Sequence, residues 1–516
     1  MCEKNNKNKV ILISSGIWAL FAHGMALFNK YSFHDDIAHQ FSIGATYSSG
    51  RWMLGILDEA VSKLTGSIHY SIPLFNGILS IVFIALICIL VSIFLEIDNF
   101  LLNIGLTGIM ITFPVVTGMF GYVYTAPYYL FGTLIGVLGC FLLCKYFEWY
   151  FYLFGILLMA CSVGVYQANI PICISMMLIY MIKMAIEKNS FKWKEYFKLV
   201  MHYIIACVGF MSTYFIINKL FLLYKHVELS NYKGINNFGY TSIKGYFERI
   251  MLAYKEFFNP TDDVSYNMFP FSLEAFYKAM IFMTIILSVY IVCLKLRENI
   301  LAGVLLASLM IVFPLAVNFI FVMCDASEIH TLMMYGGCWG SVYFIWIVNY
   351  MSQKINRVSK VNQVVVILSV MLILSINLLN CRFANICYLK ANYVQEQAIS
   401  YYTTLITQIK SIEGYTAQTR VVYINEYDKS DATIPKIAQF EAIRILPYDC
   451  STIINDYKWR ESMLLWCGFN PKTAGSAIYE QLPEVIQMPC YPSDGSIKMI
   501  EDVLIVKFAN TASSYK

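Results

Sequence analysis

The sequence predicts an all-α polytopic membrane protein with about eleven spanning helices and a small α/β domain at its C-terminal end. Of its 516 residues, 58% are hydrophobic and only 14% are charged, whereas about a quarter of the residues in soluble proteins are charged. The scarcity of charge leaves many apolar runs of about 20 residues, the length that crosses a bilayer as a helix. Charge, proline, glycine and serine return from about residue 382 onwards, which indicates a separate polar domain.

The first apolar run, 10–28, follows a lysine-rich start. It is long for the hydrophobic part of a signal peptide, and no small-residue cleavage site follows it, so it predicts an uncleaved first helix. Pro114 and Pro314 lie inside later runs, where we expect them to form kinks. The eleven predicted helices are near 10–29, 72–95, 100–119, 127–147, 150–165, 169–186, 199–223, 276–294, 300–323, 332–350 and 362–381.

The lysines and arginines in the connections predict the orientation, because they favour the cytoplasmic side of the membrane. They collect before the first helix and in alternate connections, whereas the connections near 120–126, 165–169 and 324–331 contain none. This alternation predicts a cytoplasmic N-terminus, an outer C-terminus and long outer segments at 30–71 and 224–275. It requires that the turn at 165–169 divide two helices, because a single helix there would reverse the orientation of everything downstream.

Residues 1–381 are thus predicted to form a transmembrane domain, and residues 382–516 an extracytoplasmic domain. In the second domain, a helical pattern near 391–413 precedes a β-like run at 420–424, and another β-like run covers 503–508. Helical and strand patterns in one short segment indicate a small α/β domain.

The composition also argues against two kinds of site. The net charge of +4 is small for this length, whereas a nucleic-acid-binding protein would show a strongly basic face. Most cysteines lie inside apolar runs, where they act as small apolar residues, and no Cys-x-x-Cys pair predicts a zinc site. The chemistry of this chain is therefore expected in its outer connections.

The first outer segment contains two adjacent carboxylates. The first helix is followed directly by Tyr31-Ser32-Phe33-His34-Asp35-Asp36. This position places the two aspartates at the membrane surface, beside a histidine. A carboxylate in such a place suits a general base that removes a proton from a hydroxyl group. Aspartate is also a common helix cap, so the pair alone fits a solvated turn as well.

Ser49-Gly50-Arg51-Trp52 comes next and precedes apolar residues at helical spacing, which predicts a helix lying in the interface. Arginine binds phosphate through its planar guanidinium group, so Arg51 is a candidate phosphate ligand and Trp52 a candidate surface for a sugar or lipid. Both residue types also anchor proteins in the interfacial zone of a membrane. Such anchoring is the alternative to ligand binding for Arg51 and Trp52.

The short outer connections add polar side chains with little charge. Tyr124 lies in the first, Gln167 in the second, and Asp325 and His330 in the third. Such groups suit sugar hydroxyls, and an amide near a helix end requires hydrogen-bond partners. Tyrosines here also fit the aromatic belt of a membrane protein. The third connection and Asp35 are predicted to share one face, so the sequence predicts a polar site that opens outward.

The Asp35-Asp36 pair followed by Gly50-Arg51-Trp52 resembles the start of the GtrII-type glucosyltransferases, which are multi-pass bacterial enzymes that modify O-antigen. The Tyr166-Gln167 turn and the closing Pro492-Ser493-Asp494-Gly495-Ser496-Ile497 segment are also similar to that family. The motifs are short, and their order and membrane placement carry the resemblance, which extends over the whole chain.

The resemblance implies a C-type glycosyltransferase in the bacterial cytoplasmic membrane that moves a sugar, glucose in this family, from a polyprenyl-phosphate donor. The acceptor is a cell-surface glycan or another cell-surface polymer, on the outer face. The resemblance also implies that Asp35 or Asp36 is the general base. On electrostatic grounds, we expect Arg51, with His330 or a lysine of the second outer segment, to neutralise the departing phosphate. A divalent metal between the phosphate and an acidic pair is compatible with this scheme, although no ligand spacing demands one. The remaining candidates for the donor site are Trp52, Tyr124, Gln167 and Asp325.

Two other classes of protein also fit a polytopic chain. A transporter or flippase of lipid-linked sugars would place ionisable groups in mid-membrane and show repeated halves, whereas the predicted spans are nearly free of charge. A surface receptor or scaffold would not require Asp35-Asp36 beside a polar outer cluster. The sequence therefore favours a glycosyltransferase, with the transporter as the alternative.

Overall fold

The computed structural model describes residues 2–146, 148–187, 193–230, 241–260, 268–354, 360–426, 437–448 and 458–510. The chain divides into two compact units. The larger unit comprises Met1–Lys30, Phe41–Asn385 and Arg444–Leu446, and the smaller unit comprises Tyr31–Gln40, Ile386–Ile443 and Pro447–Lys516. The segment with Asp35 and Asp36 therefore belongs to the smaller unit, although it follows the first helix in sequence.

The described chain is mainly helical. Its α-helices are, in chain order, α1 (Cys2–Phe28), α2 (Asp35–Ala38), α3 (Trp52–Thr65), α4 (Pro73–Phe94), α5 (Phe100–Thr112), α6 (Pro114–Met119), α7 (Ala126–Lys145), α8 (Trp149–Val165), α9 (Ile170–Glu187), α10 (Trp193–Lys225), α11 (Ile243–Phe258), α12 (Leu273–Glu298), α13 (Ile300–Val317), α14 (Ile320–Met323), α15 (Cys338–Lys354), α16 (Lys360–Ser411), α17 (Trp459–Cys467) and α18 (Pro483–Gln487). Helix α16 contributes its first part, 360–385, to the larger unit and its second part, 386–411, to the smaller one.

Nine helices in the described part of the chain are long and apolar enough to cross a membrane, and α5 and α8 are shorter apolar helices. Each predicted helix has a counterpart among them, which confirms the predicted polytopic fold class. The division at the turn after α8 is also present, because α8 ends at Val165, a 3-10 turn covers Gln167–Asn169, and α9 begins at Ile170. The side of the membrane on which each terminus lies stays a prediction.

Of the two prolines inside predicted spans, one divides a helix and the other does not. Pro114 divides one predicted span into α5 and α6, with Phe113 between them at φ −51° and ψ 135°, because proline disfavours a helical conformation at the preceding residue. Pro314 is accommodated inside α13. The sequence predicts a separate helix near 391–413, but α16 is continuous, since residues 382–390 contain neither proline nor glycine.

The smaller unit contains a four-stranded sheet. Its strands are β1 (Arg420–Ile424), β2 (Lys472–Thr473), β3 (Ile497–Ile500) and β4 (Val503–Lys507). Their order is β2-β1-β4-β3, with β1 parallel to both β2 and β4, and β3 antiparallel to β4. Both predicted β-like runs are thus strands, which confirms the predicted α/β part. The core of the sheet is apolar and contains Val422, Ile424, Val485, Met488, Ile500, Val503 and Ile505.

A buried lysine joins the sheet to α18. The ammonium group of Lys507 donates to the backbone oxygens of Val485, Ile486 and Met488 at 3.0, 2.9 and 2.8 Å. Carbonyl groups at the end of a helix lack partners within the helix, so this side chain supplies them.

Replacing Lys507 with methionine should destabilise the smaller unit by about 2–4 kcal/mol, because buried carbonyl groups then lose their partners. Hydrogen exchange at the amides of β3 and β4 measures the effect, and faster exchange is expected. Lys498→Met is the matched control, since Lys498 is an exposed residue of β3. Equal exchange rates in the two variants would contradict the assignment.

Candidate functional site

Four segments that are distant in sequence contribute to one pocket in the larger unit. The pocket lies among the start of α3, the turn after α8, α10 and the segment that follows α13. It brings together Arg51, Gln167 and His330. The lining residues are Arg51, Tyr166, Gln167, Ala168, Ile170, Met211, Tyr214, Phe215, Ile320, Met323, Cys324, His330 and Met333.

An aromatic pair holds the guanidinium group of Arg51. Its Nη1 donates to Tyr129 Oη at 2.9 Å, and its Cζ lies 5.0 Å from the centre of the Tyr166 ring. The rings of Tyr129 and Tyr166 are parallel, with centres 4.2 Å apart. The hydrogen bond and the cation–π contact together fix the orientation of the cation, so Arg51 is positioned before any anion binds.

A polar network holds the backbone immediately before Arg51. Gln167 Nε2 donates to the backbone oxygen of Ser49 at 2.8 Å and to Tyr214 Oη at 3.2 Å. Tyr214 Oη donates to the backbone oxygen of Gly50 at 3.0 Å. Gly50 has φ +73°, a left-handed conformation that glycine adopts without steric cost. The network therefore ties this segment to α10 and to the turn after α8.

The charge of the pocket favours an anion next to an apolar body. Among its described lining residues, Arg51 and His330 can carry positive charge and none is acidic. The apolar wall of the pocket includes Met211, Met323 and Met333. Methionine side chains are flexible and adapt to ligands of irregular shape. In the described part of the chain, no three His, Cys, Asp or Glu side chains are grouped closely enough to hold a metal ion.

Three of the predicted binding residues are not among those that line this pocket. Trp52 is buried and stacks on Phe221, with ring centres 5.7 Å apart. Tyr124 is buried between α6 and α7. Asp325 forms an ion pair with Arg249, and its side chain is 55% exposed. The structure therefore places Trp52 and Tyr124 in the packing of the larger unit and Asp325 in an ion pair.

The two predicted catalytic carboxylates begin α2 in the smaller unit. Asp36 is fully buried, and its Oδ2 accepts from Ser32 Oγ at 2.5 Å and from Gln40 Nε2 at 3.1 Å. Asp35 is partly exposed. The preceding His34 has φ +48°, which is uncommon for a residue with a side chain and turns the chain into α2. The two neighbours thus differ, since Asp36 is hydrogen-bonded inside the unit while Asp35 reaches its surface.

Sequence reasoning does not identify Tyr129 or Tyr214. Both lie inside predicted spans, where tyrosine fits ordinary packing or the aromatic belt. The signal that could have found Tyr214 is its hydroxyl group in an apolar run, because a buried hydroxyl needs a hydrogen-bond partner. No spacing in the sequence indicates that this partner is the backbone beside Arg51.

Comparison with protein-family models gives a match over more than half of the chain. The family model for glucosyl transferase GtrII matches residues 24–339, a range that includes the whole lining of the pocket and both aspartates. The tail, with its closing segment 492–497, lies outside the matched range. No curated protein and no solved structure matches the chain.

Proposed function

Because this chain belongs to the glucosyl transferase GtrII family, we propose that it transfers glucose from a polyprenyl-phosphate donor to a cell-surface glycan. The observation that carries the proposal is the convergence of Arg51, Gln167 and His330 on a pocket with otherwise mainly apolar walls. A polyprenyl-phosphate sugar has matching parts, namely sugar hydroxyls, an anionic phosphate and an apolar chain. Arginine and a protonated histidine suit the phosphate, and the methionines suit the chain.

In the proposed reaction, the acceptor hydroxyl oxygen forms a bond to the anomeric carbon while the bond from that carbon to the phosphate oxygen breaks. Polyprenyl phosphate leaves as an anion and needs no general acid. The hydroxyl proton passes to a carboxylate, and we assign this role to Asp35 because it is partly exposed. Asp36 is buried and hydrogen-bonded, so its role is to position α2.

Arg51 and His330 stabilise the charge that develops on the phosphate as the sugar leaves. Such electrostatic stabilisation works best when the donors are oriented before the reaction. The contacts of Arg51 with Tyr129 and Tyr166 provide that orientation. Gln167 contributes by holding the backbone of Ser49.

We place the enzyme in the bacterial cytoplasmic membrane with its reaction on the outer face. Support comes from the lysines and arginines, which collect in the connections that this orientation leaves in the cytoplasm. In the same orientation, residues 382–516 form an outer domain on the side of the acceptor.

Transfer by the purified full chain in proteoliposomes tests the proposal. The donor is polyprenyl-phosphate glucose with a radiolabelled sugar, and a cell-envelope extract supplies the acceptor. We expect label in the glycan and release of polyprenyl phosphate, with no label transferred from a nucleotide sugar alone. A flippase would move the donor across the membrane without releasing polyprenyl phosphate, and that result would replace the proposal.

Gly50→Ala should lower the transfer rate about tenfold or more, because small displacements of a positioned group have large effects on rate. A Cβ at Gly50 would lie 2.8 Å from Tyr214 Oη and 2.9 Å from Gln167 Nε2, so the segment with Arg51 has to shift. Gly66→Ala is the matched control, since Gly66 has φ +65° and a Cβ added there would meet no atom within 4 Å. Equal rates in both variants would contradict the prediction, because the collision at Gly50 would then have no effect on transfer.

A further inference from the structure

Helix α11 carries an exposed apolar strip, although it is not one of the helices predicted to cross the membrane. Ile243, Phe247, Met251 and Phe258 are 91%, 64%, 54% and 44% exposed. Because a helix turns about 100° per residue, these four side chains occupy an arc of about 80° around it. Exposed apolar side chains that form one contiguous strip mark a surface that an apolar partner covers.

A charged strip runs beside the apolar strip. Lys244, Glu248 and Lys255 are exposed and occupy the next arc of about 40° around the helix. Lys244 and Glu248 form an ion pair at 3.8 Å. The side of α11 that faces away from the protein is therefore divided lengthwise into an apolar and a charged part, which is typical of a helix that lies in a membrane interface.

The remaining face of α11 packs against the larger unit. Ala253 and Glu256 are buried on this face, and Asn318 Nδ2 donates to the backbone oxygen of Ala253 at 3.0 Å. Arg249 Nη1 donates to the backbone oxygen of Val322 at 3.4 Å. These contacts fix α11 against the end of α13 and against α14, so the apolar strip stays on the outside of the unit.

The contacts with α13 show how far α11 lies from the end of a spanning helix. Helix α13 is apolar enough to cross a membrane and ends at Val317. Tyr254 Oη of α11 donates to the backbone oxygen of Ile311 at 2.8 Å. Ile311 and Val317 are about 9 Å apart along the axis, at about 1.5 Å per residue. Interfacial helices bury their apolar face to about this depth, roughly 5–10 Å.

We propose that α11 lies in the interface of the bilayer, with its apolar strip among the acyl chains of phospholipids and its charged strip at their headgroups. Ile311, beside the tip of Tyr254, is 65% exposed on a spanning helix, where lipid covers apolar side chains. The apolar strip continues this surface, which favours the bilayer as the partner over a second copy of the chain. The proposal does not depend on the proposed transfer reaction.

The same helix supports a wall of the Arg51 pocket. Helix α14, to which Arg249 of α11 bonds, supplies Ile320 and Met323 to the pocket lining. The proposed lipid contact therefore lies on a helix that packs directly against this wall.

Photo-crosslinking from two adjacent positions of α11 tests the proposal. The photoreactive residue p-benzoylphenylalanine replaces either Phe247, in the apolar strip, or Glu248, in the charged strip, and the purified full chain is irradiated in dioleoylphosphatidylcholine vesicles. Alkaline hydrolysis of the lipid esters then leaves oleic acid only on peptides that reacted with an acyl chain. We expect at least about fivefold more oleic acid adduct from position 247 than from position 248, since only the first faces the hydrocarbon.

A second pair of positions, Met251 and Lys255, repeats the comparison and guards against a variant that does not fold. An equal or larger oleic acid adduct at the charged positions, in chains with the wild-type unfolding temperature, would overturn the proposal. So would the absence of any adduct at both Phe247 and Met251, because water would then cover the strip. A crosslink between two chains at these positions would replace the bilayer by a second copy as the partner.

Discussion

Replacing Asp35 with asparagine should lower the rate of sugar transfer about 10²–10⁴-fold, the usual contribution of a general base. Asparagine keeps the size of the side chain but cannot take the proton of the acceptor hydroxyl. Because Asp35 is partly exposed, the change should leave the fold intact. The measurement is kcat for transfer by the purified full chain in proteoliposomes, with thermal unfolding as the check on folding.

Asp36→Asn is the matched control for the base. The Oδ2 atom of its buried carboxylate accepts hydrogen bonds from Ser32 and Gln40. An asparagine oxygen at that position can accept both, but the bonds weaken because the amide carries no negative charge. We expect a lower unfolding temperature and yield, with a smaller loss of kcat per folded molecule. Full activity of Asp35→Asn would contradict the assignment. Loss of activity in a stable Asp36→Asn chain would transfer the role to Asp36.

Replacing Arg51 with alanine should lower kcat about 10²–10³-fold, as removal of one preorganised electrostatic donor does in other enzymes. The pocket would retain His330 but lose the cation that Tyr129 and Tyr166 hold in place. Arg51→Lys should restore only part of the rate, because lysine keeps the charge but lacks the planar group that binds phosphate at two points.

Arg249→Ala is the control for a general loss of positive charge. Arg249 belongs to the larger unit but pairs with Asp325 and does not line the pocket. We expect its transfer rate to stay within about twofold of wild type, since its partner Asp325 is 55% exposed, and an ion pair that is open to solvent on one side contributes little. An Arg51→Ala chain that is as active as Arg249→Ala would exclude a role for this pocket in the reaction.

The sequence predicts the membrane architecture well because each spanning helix is a local property. Twenty consecutive apolar residues specify a helix in a bilayer whatever else the chain contains, and the short turn at Gln167–Asn169 suffices to divide α8 from α9. The same holds for β1 and β4, which are short apolar runs between polar segments. The continuity of α16 follows from missing helix breakers, a signal that the composition change near residue 382 obscures.

The candidate site is harder to predict because it depends on contacts between distant segments. Nothing in the sequence indicates that Tyr214 bonds to the backbone of Gly50. This hydrogen bond joins α10 to the segment before α3. Asp35 and Asp36 are equivalent in sequence, and only the burial of Asp36 distinguishes them. Trp52 suits ligand stacking by residue type, yet the structure packs it against Phe221.

Photo-crosslinking tests most directly whether the Arg51 pocket binds the donor. The probe is polyprenyl-phosphate glucose with a diazirine in the isoprene unit next to the phosphate, added to the purified full chain and followed by peptide mapping. We predict labelling at Met211, Phe215, Met323 or Met333, the apolar residues of the pocket, with competition by unmodified donor and a loss of label in Arg51→Ala. Label that maps instead to residues outside this pocket, or that unmodified donor does not displace, would contradict the account.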